Sequence, residues 1–137
     1  PIPMEEIRDY MRQIFEGMAD VHSHQICHRD LKPENILKTE EGVVKICDFG
    51  SAKILTESGQ NTPYIVSRYY RAPELILACS DYSNKIDIWA IGCIFAEFVT
   101  LRPLFPGKTE GSQFLEQVAI LGKPTEEEVG AMSEQIE

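Results

Sequence analysis

Apolar residues in the first part of the chain fall at Ile7, Tyr10, Met11, Ile14, Phe15, Met18 and Val21. Spacings of three and four place them on one helical face, which predicts an amphipathic helix. Pro3 and the pair Glu5-Glu6 suit its first turn, where a missing N–H costs nothing and negative charge meets the positive end of the helix dipole. The helix thus reads as carrying its own start signal. Further on, Ile36-Leu37-Lys38 and Val43-Val44-Lys45-Ile46-Cys47 are strand-like runs joined by the turn-prone Thr39-Glu40-Glu41-Gly42, a predicted β-hairpin. Residues 50–71 hold Gly50, Ser51, Ser58, Gly59, Asn61, Thr62 and Pro63 without a sustained period. They predict a long loop, and long loops inside compact domains usually serve function.

Ser83-Asn84 is placed to cap a helix from about Lys85 to Thr100 whose circumference is apolar almost all round, which suits burial inside a domain. Its Asp87 then needs partners, because an unpaired buried carboxylate is very costly. A further helix, about Ser112 to Leu121, stops at Gly122 and Pro124, and Thr125-Glu126-Glu127-Glu128 has the spacing of a capping box. Phe114, Leu115 and Val118 are its candidate core residues. No strand follows residue 84, so the fold class is α+β and mainly helical, with one small hairpin.

Composition narrows the picture. The 137 residues, 43% apolar and 26% charged, are ordinary for a globular chain and fit one domain or part of one. With 13 Lys and Arg against 22 Asp and Glu the net charge is −9, which argues against nucleic acid and anionic membranes as partners. That acidity lies outside the middle: residues 25–75 hold seven basic and seven acidic side chains. No apolar run is long enough to span a bilayer, and no basic stretch followed by an apolar one opens the chain. Cys27, Cys47, Cys79 and Cys93 are scattered with no C-x-x-C pair, as expected of reduced thiols in an intracellular protein, cytoplasmic or nuclear, without a zinc site.

Three clusters carry the chemistry: His28-Arg29-Asp30-Leu31-Lys32-Pro33-Glu34-Asn35, Asp48-Phe49-Gly50 and Ala72-Pro73-Glu74. Asp30, in a loop after a helix, can accept a hydroxyl proton from a substrate, and Lys32 can neutralise charge on a transferred phosphoryl group. Asn35 and Asp48 offer hard oxygen ligands suited to Mg²⁺. An Asp or Asn in a turn is ordinarily a local backbone cap. Here the order and spacing resemble the catalytic loop, metal-binding loop and activation-segment end of a protein kinase, H-R-D-L-x-x-x-N, D-F-G and A-P-E. The resemblance implies ATP and Mg²⁺ as cofactors, Asp30 and Lys32 as catalytic, and Asn35 and Asp48 as metal ligands. Leu37 would lie under the adenine ring and Cys47 beside the nucleotide, as a reactive or an inert thiol. His28 is expected to pack against Phe49 rather than act as a base, and Phe49 to set the orientation of Asp48. Arg29 is expected to meet an anion on the loop at 50–71. Asp87 would accept backbone N–H groups near His28 and Arg29, and Glu74 would pair with an arginine from a helix that these residues do not include.

The stretch Tyr64-Ile65-Val66-Ser67-Arg68-Tyr69-Tyr70-Arg71-Ala72-Pro73-Glu74, with Asp48-Phe49-Gly50-Ser51-Ala52-Lys53, Cys27-His28-Arg29-Asp30, Phe105-Pro106-Gly107 and Leu121-Gly122-Lys123-Pro124-Thr125, resembles glycogen synthase kinase-3 of the CMGC group. A mitogen-activated kinase is the alternative within the group, since Thr62-Pro63-Tyr64 resembles its Thr-x-Tyr pair only superficially. The resemblance implies a Ser/Thr kinase preferring protein substrates already phosphorylated a few residues C-terminal to the target. Arg29 and Lys53 would belong to the pocket for that priming phosphate. Tyr64 would be an activating phosphotyrosine received by Arg68 and Arg71, and the helix near 112–121 would dock a scaffold protein.

No G-x-G-x-x-G or V-A-I-K stretch, which cover nucleotide phosphates in kinases, occurs in the sequence. The expectation is a partial kinase domain over 1–137: catalytic loop 28–35, metal-binding loop 48–50, activation segment 48–74, helical remainder 84–137, with the N-terminal lobe absent and no measurable phosphotransfer by the chain alone. The rival is a non-catalytic binding module that keeps the lobe fold. Retention of Asp30, Lys32, Asn35 and Asp48 favours the enzyme.

Overall fold

Helix α1 spans Met4–Ser23 and buries Ile7, Met11, Ile14 and Met18, the inner part of the apolar stripe, while Phe15 lies near its edge and is half exposed. A computed structural model describes the chain apart from residues 56–66, 80–81 and 134–137. The α1 face packs on Ala90, Ile91 and Ile94 of α3 (Lys85–Thr100), and Leu31, Tyr70, Cys93 and Phe105 complete this core. Each fully buried Ile, Leu, Met or Phe among these contributes about 1.5–3 kcal/mol.

The predicted hairpin forms from β2 (Ile36–Lys38) and β3 (Val44–Ile46), pairing Ile36 with Ile46 and Lys38 with Val44. Its second strand does not hang free: Gln13 of α1 accepts from Val44 N at 2.9 Å and donates to Gly42 O at 3.1 Å. A side-chain amide on the helix thus satisfies the backbone of an edge strand. The loop expected over residues 50–71 holds a short strand near its start. β4 (Lys53–Ile54) pairs antiparallel with β1 (Ile26–Cys27), a second two-stranded sheet that two residues per strand are too short to reveal by alternation.

Helix α2 is short, Pro73–Ile76, and a second core of Cys27, Ala72, Leu75, Tyr82 and Ile86 lies beside it. α3 has the predicted bounds, with the Ser83 hydroxyl rather than Asn84 accepting from Lys85 N at 3.3 Å. Among the described residues its circumference is only partly covered, with Ile88, Phe95 and Val99 each close to half exposed. α4 (Glu110–Leu121) begins two residues earlier than predicted because Thr109 and Ser112 form a capping box, and it ends at Gly122, whose φ of 88° suits glycine. α5 (Glu126–Ser133) starts on the predicted Thr125 and Glu128 capping box.

The core expectation for α4 needs correction. Leu115 is 67% exposed and Phe114 and Val118 are half-buried, whereas Gln113 and Gln117 are buried. The reason is unmet backbone polarity: Gln113 accepts from Gly107 N and Gln117 donates to Arg71 O, each at 2.9 Å. A Cβ on Gly107 would sit 2.3 Å from the Gln113 backbone, so this approach requires glycine.

Candidate active site

The loop at 28–35 is hung on one buried carboxylate. Asp87, in the first turn of α3 and 1% exposed, accepts from the backbone N–H of His28 at 2.8 Å and of Arg29 at 2.9 Å, as the sequence led us to expect. A third donor was not expected: His22, at the end of α1, reaches Asp87 Oδ2 through Nε2 at 2.8 Å. A carboxylate only accepts, which places the Nε2 proton on His22. Nothing in the local sequence marks this residue, since its partner lies 65 positions away. Burial first, and the Asp87 charge second, push the neighbouring Cys27 thiol far up. Arg29 has a left-handed backbone, φ 69°, a conformation that costs a non-glycine residue about 1–2 kcal/mol and here accompanies the Asp87 anchor.

Asp30 is 5% exposed, with Oδ2 3.3 Å from Lys32 Nζ and Oδ1 buried without a hydrogen-bond partner among the described residues. A buried carboxylate oxygen with nothing to accept from is costly, so its presence points to a donor brought by a substrate. His28 cannot be that donor or a base. Its Nδ1 accepts from Asp30 N at 3.2 Å, its Nε2 donates to Cys47 O at 2.9 Å, and its ring meets the edge of Phe49 with centroids 4.8 Å apart. Both nitrogens are committed, which is the packing role expected of it.

Asn35 is buried and donates through Nδ2 to Asp30 O at 2.8 Å, which leaves its side-chain oxygen as the group available to a ligand. Its own carbonyl accepts from Cys47 N at 2.9 Å, tying the catalytic loop to the residue before Asp48. Asp48 is exposed, with φ 60° and its Oδ1 3.3 Å from Gly50 N. Two hard oxygens suit Mg²⁺, which takes one or two protein ligands and completes its shell with phosphate and water. No cluster of three or more His, Cys, Asp or Glu suited to a metal occurs among the described residues. Leu37 is 53% exposed and Cys47 half-buried.

The cations expected to gather phosphate have distinct surroundings. Among the described residues Arg29 meets no anion on the following loop: its Nε donates to Ser51 O at 2.6 Å and its Nη1 to the Tyr82 hydroxyl at 3.0 Å. The rest of the loop on which an anion was expected, residues 56–66, lies outside the described residues. Lys53 stands on β4 opposite Cys27 and makes no ion pair among the described residues. Arg68 donates to Lys108 O at 2.6 Å, and its buried Nε has no hydrogen-bond partner among the described residues. Arg71 pairs with Glu110 at 3.0 Å. Tyr64 lies outside the described residues. Burial pushes the Glu74 carboxyl up, offset in part by its own backbone N–H. Also unforeseen is Tyr70, whose hydroxyl donates to Glu97 at 2.7 Å beneath the segment.

A groove of about 200 Å³ lies against α4, lined by Pro73, Trp89, Phe114, Val118, Leu121 and Pro124 among others. No described helix is long and apolar enough to cross a membrane.

The protein kinase domain family matches residues 1–136. Among curated proteins the chain is 48% identical to "Glycogen synthase kinase 1" of Pyricularia oryzae over 133 residues, 96% of this chain and 34% of that protein. It is 48% identical to "Protein kinase gsk3" of Schizosaccharomyces pombe over 96% of this chain and 34% of that one. With "Protein kinase gsk31" of the same yeast it shares 46% over 96% of this chain and 35% of the relative. The chain thus spans about a third of the length of these relatives.

Proposed function

This chain belongs to the protein kinase domain family, and from that membership we propose that the protein transfers the γ-phosphoryl group of ATP to Ser or Thr hydroxyls of protein substrates. The observation that carries the proposal is Asp30, whose Oδ1 is buried and without a partner among the described residues while Oδ2 lies beside Lys32. A substrate hydroxyl donating to Oδ1 is held and its proton accepted there, and the Lys32 ammonium stays close enough to offset charge developing on the phosphoryl oxygens. Asn35 and Asp48 are the residues to hold Mg²⁺, which supplies charge neutralisation at the nucleotide phosphates. Because the 137 residues contain no glycine-rich phosphate loop, nucleotide capture in this proposal depends on other parts of the full-length protein.

Expected for full-length protein is a kcat reduced by roughly 10²–10⁴ on Asp30→Asn, the usual span of general-base catalysis. Thermal stability should be retained. Wild-type turnover by the variant in a radiolabelled phosphate-transfer assay excludes Asp30 as the base.

The finer reading is a preference for primed substrates. Arg29 and Lys53 support it: the register places Lys53 opposite Cys27, two residues before Arg29, and neither cation has a carboxylate counter-ion among the described residues. Two cations without a carboxylate among the described residues favour a phosphate between them. Phosphorylated Tyr64 as a ligand of Arg68 and Arg71 belongs to the same proposal, and there Glu110 already occupies Arg71 and must share or yield it. A scaffold protein on the apolar groove of α4 completes it. Trp89 Nε1 and Gln117 Oε1, a buried donor and a buried acceptor lacking hydrogen-bond partners among the described residues, belong to residues lining that groove.

A further inference from the structure

The cation pair Arg29 and Lys53 has an uncharged neighbour. The Arg29 guanidinium is held at two points, by Ser51 O on Nε and by the Tyr82 hydroxyl on Nη1. Tyr82 is only 6% exposed, and its ring belongs to the apolar cluster of Cys27, Ala72, Leu75 and Ile86. Apolar contact thus fixes the ring while the hydroxyl extends to the arginine. The chemistry of that partner matters. A carboxylate in its place would cancel the charge of Arg29, as Glu110 does for Arg71, whereas a phenol oxygen orients the guanidinium and leaves its charge available. A planar fork fixed beforehand also loses less freedom on meeting a phosphate.

We propose that Tyr82 is a positioning residue for primed-substrate recognition, its hydroxyl holding Arg29 in the orientation that receives the substrate's phosphate. This inference rests on the reading of Arg29 and Lys53 as the priming pocket. The test uses full-length protein and two peptides of one sequence, with and without a phosphoserine a few residues C-terminal to the target. Tyr82→Phe keeps the packed ring and removes only the hydroxyl. Hydrogen bonds to charged groups are strong enough that the ratio of kcat/KM for primed over unprimed peptide should fall roughly tenfold. The loss should appear in KM for the primed peptide. An unchanged ratio, or an equal loss on both peptides, overturns the proposal. Lys53→Ala separates the two levels of inference. If it removes discrimination while Tyr82→Phe keeps it, the pocket stands and the role of Tyr82 falls; if discrimination survives Lys53→Ala, both fall.

Discussion

The loop at 28–35 and the far end of the 48–74 segment are held by different means. At the catalytic loop a single charged acceptor, Asp87, collects three donors from two segments and is itself buried. At the segment's far end, Arg68 and Arg71 are held by a carbonyl, a neutral amide and one carboxylate that is 65% exposed. Buried charge with full hydrogen bonding fixes geometry firmly, because removing it strands several groups at once. Neutral amides and a solvated ion pair hold more weakly and one contact at a time. The fold thus gives rigidity to the loop that carries Asp30 and leaves adjustability where a regulatory phosphate is proposed to bind.

The widest separation between the two regions is expected from Asp87→Ala. It leaves the N–H groups of His28 and Arg29 and the Nε2 proton of His22 without an acceptor, in a place from which water is largely excluded. A loss of about 3–5 kcal/mol is expected, the range for breaking a buried charged network by removing one member. Denaturant unfolding of the variant measures it. A loss below 1 kcal/mol would show that the loop does not depend on this anchor and would erase the contrast.

Gln117→Leu probes the other end. It removes the donor to Arg71 O, which costs about 1–3 kcal/mol for a stranded buried acceptor, but it also removes the unpartnered Gln117 Oε1. The two effects oppose, so a net loss of about 1 kcal/mol is expected from the same unfolding measurement. A loss matching that of Asp87→Ala would mean the far end is anchored as firmly as the catalytic loop.

Gln117 also shows where sequence reading stops. Periodicity located α1, whose buried residues recur at helical spacing, while the hairpin was legible as two strand-like runs about a turn and α3 as a capped, nearly continuous apolar run. It failed on α4, whose buried positions are glutamines answering backbone groups at Gly107 and Arg71. Polar burial leaves no hydrophobic pattern. The motif residues Asp30, Asn35 and Asp48 were legible as a set because their order along the chain is specific. His22 and Tyr82 were not, since each acts through a contact more than fifty positions away. Asp87 was legible by a different route, as a carboxylate on an apolar helix that had to find donors.

Glu74 offers the finest test, because it is the counterpart of Asp87 at the weaker end. It is half-buried and makes no ion pair among the described residues, and burial raises its pKa above the ordinary 4.5. A carboxyl whose folded-state pKa is raised binds its proton more tightly in the native protein than when unfolded. Its contribution to stability is therefore complete below about pH 4 and is lost as pH rises through the raised folded value. Glu74→Gln removes this dependence while keeping a side chain of similar shape. Relative to wild type, the variant should gain thermal stability progressively from pH 4 to pH 7, and melting curves at several pH values measure that difference. A difference constant across the range would mean that a cation reaches Glu74 in the native protein. The far end of the segment would then also hold a satisfied charge, as the catalytic loop does at Asp87.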